Sequence, residues 1–176
     1  MSKSRFTTRQ LALSGLIAAL YAVLAYFGNI FGVTYGPIQC RFSEALCVLP
    51  FFMPEAVPGL FLGCLIANLL SPYGAADIVF GSLATLLAAC WTRKVRRKWL
   101  APLPPVLCNM AIIGALLGWY EAGFGAAFPA AFAYNALTVG IGEAIACYVL
   151  GGLLLNLLPR IRALAPFLKA PEQRDI

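Results

Sequence analysis

An all-α integral membrane protein of six transmembrane helices, with N- and C-termini cytoplasmic, is the fold class this sequence predicts, and three observations predict it. The 176 residues are 61% hydrophobic and only 11% charged, against roughly 45–50% and about 25% for ordinary soluble domains. Apolar runs recur along the whole chain, and a spanning helix needs about 20 such residues. The basic residues fall in clusters that flank those runs. A soluble fold of this size has too little interior to hide so much apolar surface, so lipid is its natural solvent. The length leaves room for a single transmembrane domain and for no separate soluble one.

The net charge of +6 raises a nucleic-acid partner, which the distribution argues against. Twelve of the thirteen basic residues are Lys3, Arg5, Arg9, then Arg93, Lys94, Arg96, Arg97, Lys98, then Arg160, Arg162, Lys169, Arg174. Clusters between apolar runs are the signature of cytoplasmic loops. Only Arg41 falls elsewhere.

The first span is expected at 11–31. It follows a basic stretch as a signal peptide would, but it exceeds the roughly 7–15-residue apolar core of one, so it reads as a retained span. Gly36-Pro37 then breaks the pattern. The second span, 42–54, is the shortest: about a dozen residues rise only ~18 Å in an α-helix, against a core of ~30 Å. If it crosses, all three basic clusters fall on one side. If it does not, the N-terminal and central clusters face opposite sides, against the positive-inside rule. A short, broken or tilted second helix follows. Further spans are expected at 56–71, closed by Ser71-Pro72-Tyr73-Gly74; at 77–92, opened by Asp77; at 99–120; and at 130–158.

On this topology Arg41, Glu44, Asp77 and Glu121 lie at outer helix ends, while Glu143 sits inside the last span. A charge at mid-membrane costs roughly 2.5–3.5 kcal/mol on insertion scales. Such residues face a bundle interior and mark a site or pathway, or they make a structural hydrogen bond, here to Asn109 or another helix. Arg41 and Glu44, three apart, share a helix face and pair with each other, or they cap an outward pocket with Gln39 and Tyr35. Asp77 after its turn reads as a helix N-cap, a role compatible with ligand contact. Asn135 and Glu143 are separated by ~80° around a helix, so both can face one cavity. Trp119 and Tyr120 read as interfacial belt aromatics or as walls that stack on a planar ligand. Asn68 and Asn109 read as interhelical glue. Two stripes of small residues, Ser14, Ala18, Ala22, Ala25 and Gly140, Ala144, Cys147, Gly151, allow close helix approach, either inside the bundle or against another membrane subunit.

Catalysis finds little support. The chain has no histidine, no phosphate-cradling GxxxxGK[ST] loop and no zinc or haem spacing among its six cysteines. The lysines sit at cytoplasmic ends, far from the outer acids. No catalytic residue, metal site or cofactor is expected, and the cysteines read as packing residues.

The run Gly36-Pro37-Ile38-Gln39-Cys40-Arg41-Phe42-Ser43-Glu44-Ala45-Leu46 resembles the QueT family, with Cys40 where a bulkier apolar residue is expected. The resemblance continues through Pro54-Glu55, Pro58 to Cys64, Ala67-Asn68-Leu69 and Asp77 to Leu86, and returns at Gly140-Ile141-Gly142-Glu143-Ala144. It implies a six-helix S component of an energy-coupling factor (ECF) transporter in the bacterial cell membrane. It also implies a queuosine precursor as cargo, a 7-deazaguanine such as 7-aminomethyl-7-deazaguanine. The partners implied are a transmembrane coupling subunit and two cytoplasmic ATPases, and the S component would topple in the membrane to deliver inward. Substrate-binding residues on this reading are Gln39, Arg41, Glu44, Asp77, Trp119, Asn135 and Glu143, with Glu143 on the base edge and Asp77 or Glu44 on the amine. Ser14, Ala18, Ala22 and Ala25 would meet the coupling subunit. The alternatives are a carrier for another small polar nutrient and, further off, a membrane-embedded enzyme.

Overall fold

The computed structural model describes residues 7–32 and 40–168. Among them every regular element is helical: α1 (Thr8–Ile30), a 3₁₀ segment (Phe42–Phe51), α2 (Ala56–Asn68), α3 (Gly74–Lys94), α4 (Leu103–Ala122), α5 (Phe128–Ala144) and α6 (Gly151–Leu157). A π-helical turn, Ile145–Leu150, joins α5 to α6. Among the described residues four helices are long and apolar enough to cross a membrane: Thr8–Ile30, Gly74–Lys94, Lys98–Ala122 and Phe128–Arg160. The 3₁₀ segment and α2 are shorter apolar helices.

Local chemistry sets the helix ends. Thr7 and Gln10 form a reciprocal capping box at the start of α1, satisfying two otherwise orphaned donors. Prolines occupy the first turns of α4 and α5, where their missing N–H costs nothing. Gly123 closes α4 at φ 58°, its N–H donating to Trp119 O at 2.8 Å. That backbone region is open to glycine at little cost.

Neighbours in sequence are neighbours in space. α1 packs on α2, α2 on α3, α3 on α4 and α4 on α5, while the 3₁₀ segment touches α1, α2, α3, the π-turn and α6. It is therefore the centre of the bundle, and every residue from Ser43 to Phe51 is buried. At ~2.0 Å per residue it rises about 20 Å, short of a hydrocarbon core, and its surroundings are protein rather than lipid. Tyr21, Phe51 and Leu60 fill the space around it.

The polarity is inverted relative to a soluble domain. Arg41, Glu44, Glu55, Asn68, Asp77, Asn109 and Glu143 are buried, while Leu16, Val23, Phe27, Val79, Leu87, Val149 and Leu153 point outward. Only lipid makes that arrangement favourable. One end of the bundle collects the described basic clusters: Lys98 Nζ donates to Asn156 Oδ1 at 2.7 Å, and the Arg9 guanidinium lies 4.2 Å over the Phe167 ring. At the other end Tyr120 Oη donates to Tyr73 O at 2.7 Å.

The first small-residue stripe is used inside the chain. Ser14, Ala18 and Ala25 are buried and Ala22 is half-buried. A side-chain carbon added at Gly59 would stand 2.7 Å from Ser14 O, and at Gly63 2.8 Å from Ala18 O. Of the two readings, α2 packing accounts for the Ser14 and Ala18 end of the stripe, while Ala22 and Ala25 border a cavity described below. The second stripe is also internal, with Gly140 against Met110 and Gly151 against Val48.

Candidate functional site

The centre of the bundle holds a connected polar network, and the 3₁₀ backbone organises it. With three residues per turn, positions i and i+3 eclipse, so Cys47 stacks under Glu44 and its Sγ donates to Glu44 Oε2 at 2.9 Å. The other carboxylate oxygen accepts from the Tyr21 hydroxyl. A tyrosine in the middle of an apolar span has to find such a partner, and this was the signal in the sequence for Tyr21. From the opposite side the π-turn brings Cys147 Sγ to Glu44 O at 3.4 Å and to Glu143 Oε2 at 3.7 Å. The extra residue of a π-turn re-aims side chains, and such turns concentrate at functional sites.

The described ion pair of Arg41 is with Asp77 and not with Glu44. Standing just before the 3₁₀ segment, Arg41 reaches α3 and α2 instead, with Nη2 3.4 Å from Asp77 Oδ2 and Nη1 3.5 Å from Asn68 Oδ1. Asn68 completes the link, donating to Asp77 O at 3.0 Å and to Cys64 Sγ at 3.4 Å. Asp77 is not an N-cap: α3 begins at Gly74 after Tyr73, so Asp77 lies in the first turn and its carboxylate faces the arginine. The first turn of a helix favours an anion there.

Among the described residues Ser43 Oγ and Ser82 Oγ are buried without a hydrogen-bond partner, and the Asn109 side chain interacts with Glu143. Ser43, with Arg41, Asn68 and Tyr21, also borders a cavity of about 450 Å³ between the C-terminal halves of α1 and α2, walled by Phe27 and Ile66. Small-ligand sites run from about 300 to 1,000 Å³ and carry a few placed polar groups on an apolar wall. Tyr21 stands between this cavity and Glu44.

The structure thus brings Arg41, Glu44, Asp77 and Glu143 together and leaves two sequence candidates apart. Asn135 Nδ2 donates to Glu121 Oε2 and to Ala131 O, both at 2.9 Å. Trp119 lies in a run of ring contacts with Tyr120 and Phe124, 41% exposed, as a belt aromatic would be. Gln39 and Tyr35 lie outside the described residues. Tyr21, Ser43, Cys47 and Cys147 are additional members; Asn68 is too, and as an interhelical link it donates from α2 to Asp77 O on α3.

A family model described as QueT transporter matches residues 11–160. The chain belongs to the QueT transporter family. It is accordingly a transporter-family membrane protein and not an enzyme. A curated relative, the queuosine precursor transporter QueT of Lactococcus lactis subsp. cremoris (strain MG1363), is 36% identical over 87 residues, 49% of this chain and 50% of that protein. The chain thus spans about half the length of this curated relative in the match. No solved structure matches it. In QueT terms the matched region takes in all of the network, from Tyr21 to Cys147.

Proposed function

We propose that this QueT-family chain is the substrate-binding S component of an ECF-type transporter and that it captures a queuosine precursor, a 7-deazaguanine such as 7-aminomethyl-7-deazaguanine. One observation carries the reading: a carboxylate-rich polar network buried among helices of spanning length, beside a ligand-sized cavity. Two carboxylates, Glu44 and Glu143, have no cation opposite them among the described hydrogen bonds and ion pairs. Buried carboxylates call for donors, and a guanine-type base supplies a row of N–H groups while an aminomethyl group supplies positive charge. Glu143 takes the base edge and Glu44 or Asp77 the amine.

Six crossings with both ends cytoplasmic are part of this proposal. They put the basic end inside and Arg41 near the outer face, where cargo enters. A coupling subunit and two ATPases supply the work of transport, since this chain has no nucleotide-binding loop. In a cysteine-free background, Lys94→Cys is expected to react with a membrane-impermeant maleimide only after the cells are permeabilised. Labelling in intact cells would reverse the topology.

Calorimetric titration of the purified chain with a panel of deazaguanines and vitamins tests the cargo. Glu143→Gln, which keeps shape and removes charge, is expected to weaken deazaguanine binding at least about tenfold, the range of a lost charge-assisted hydrogen bond. Unchanged affinity removes Glu143 from the site. Tight binding of a vitamin with no response to deazaguanines replaces the cargo with another small nutrient.

A further inference from the structure

We infer that Ser43 is a specificity-determining residue whose hydroxyl donates to the ring carbonyl oxygen of the base, at the Arg41 border of the cavity between α1 and α2; the inference rests on the deazaguanine reading above. Ser43 is the second residue of the 3₁₀ segment and is 0% exposed, so bulk water does not satisfy its side chain. Its Oγ has no hydrogen-bond partner among the described residues either. A native fold seldom leaves such a group orphaned without reason. The residue borders the cavity of about 450 Å³, and Arg41, two positions earlier, borders it too.

The chemistry of this border selects the ligand atom. The buried polar residues that line the cavity are Tyr21, Arg41, Ser43 and Asn68. Two of them are committed within the protein: the Tyr21 hydroxyl donates to Glu44, and Asn68 Nδ2 donates to Asp77 O and Cys64 Sγ. Among the described lining residues there is no carboxylate. The border therefore offers a guanidinium, which can only donate, and a hydroxyl with its proton unassigned. A cationic amine is repelled there and a ring N–H meets a donor. A carbonyl oxygen, with two lone pairs, can accept from both groups at once. The apolar walls, Phe27 and Ile66, suit the flat faces of a ring whose carbonyl points at that border. Ser43 then contributes nothing to the empty fold and acts only when the carbonyl arrives. That separates it from Asn68, which ties α2 to α3 whether or not a ligand is present.

The separation can be measured on the full-length chain in detergent or nanodiscs. The probes are 7-aminomethyl-7-deazaguanine and the same base lacking its ring carbonyl oxygen. Ser43→Ala is expected to unfold at the same or a higher temperature than wild type, because it deletes an unsatisfied buried hydroxyl. It should bind the oxo base roughly three- to tenfold more weakly, the range of one neutral hydrogen bond, and the deoxo base about as well as wild type does. Ser43→Cys, whose S–H is a weaker donor, should shift the same preference in the same direction by less, and it carries the comparison should the alanine variant not fold. Loss of stability in Ser43→Ala, or equal change toward both bases in either variant, makes Ser43 structural and overturns the inference alone. A wild-type chain that binds the two bases equally well does the same. A wild-type chain that binds neither base overturns this inference together with the deazaguanine reading.

Discussion

Arg41→Leu should destabilise the chain by about 3–5 kcal/mol, the usual consequence of stripping one partner from a buried ion pair, and Arg41→Leu with Asp77→Asn should recover much of the loss. The reasoning is electrostatic. Asp77 is 1% exposed and Arg41 7%, so neither is screened by water as a surface pair would be. With the guanidinium gone, the Asp77 carboxylate keeps only the favourable field at the start of α3, and Asn68 Oδ1 loses a donor. The pair distance of 3.4 Å is long for a charge-assisted bond, which places the expected loss toward the lower end of the range. Neutralising Asp77 removes the stranded charge at nearly constant shape, so the double variant should be more stable than the single one. Thermal unfolding of wild type, both singles and the double in one detergent gives the coupling directly. A single variant as stable as wild type would mean that the pair is open to water. A double variant no better than Arg41→Leu would place the loss in packing rather than charge. Binding should fall in the two variants that lack Arg41, because that residue borders both the network and the cavity.

Much of the fold was legible because lipid imposes a strict rule: every backbone group must be satisfied within the segment. Long apolar runs therefore had to be helices, and the four of spanning length lie where hydropathy puts them. The 3₁₀ geometry of Phe42–Phe51 was not legible. It is set by tertiary packing on all sides, and Pro50 inside it removes a backbone donor without specifying the geometry. The buried polar network was legible by cost: a charge in hydrocarbon is expensive, so Arg41, Glu44, Asp77 and Glu143 stood out, and all four are buried. Their partners were not. Arg41 and Asp77 are 36 residues apart, and spacing along one helix favoured the nearer Glu44. The partner of Asn135 was hidden for a related reason. The helical phase of Asn135 relative to Glu143 was sound, but Glu121, across the α4–α5 turn, holds its amide. The small stripe on α1 left two neighbours open, and only the structure shows α2 against its Ser14 and Ala18 end.

That α1–α2 contact gives the second large effect. Gly63→Ala should lower the unfolding temperature and weaken ligand binding together, whereas Gly15→Ala on the same helix pair should do neither. At Gly63 the added carbon would meet Tyr21 Cβ at 2.7 Å, Ala18 O at 2.8 Å and Ala18 Cα at 3.1 Å. Two of these are backbone atoms that cannot rotate aside, so the helices must separate. Overpacking of this kind costs about 1–3 kcal/mol, and in lipid no hydrophobic force between helices compensates for lost close packing. The displaced element carries Tyr21, whose hydroxyl holds Glu44 and whose ring borders the cavity. Moving α1 outward loosens that bond and changes the cavity wall, so a packing change becomes a binding change. At Gly15 nothing lies within 4 Å of the added carbon, and alanine in a helix interior is favoured over glycine by roughly 0.5–1 kcal/mol. The expected sign is therefore opposite at two glycines of the same region. Equal behaviour of the two variants would mean that α1 is not seated on α2 as described, and the position of Tyr21 against Glu44 would lose its support.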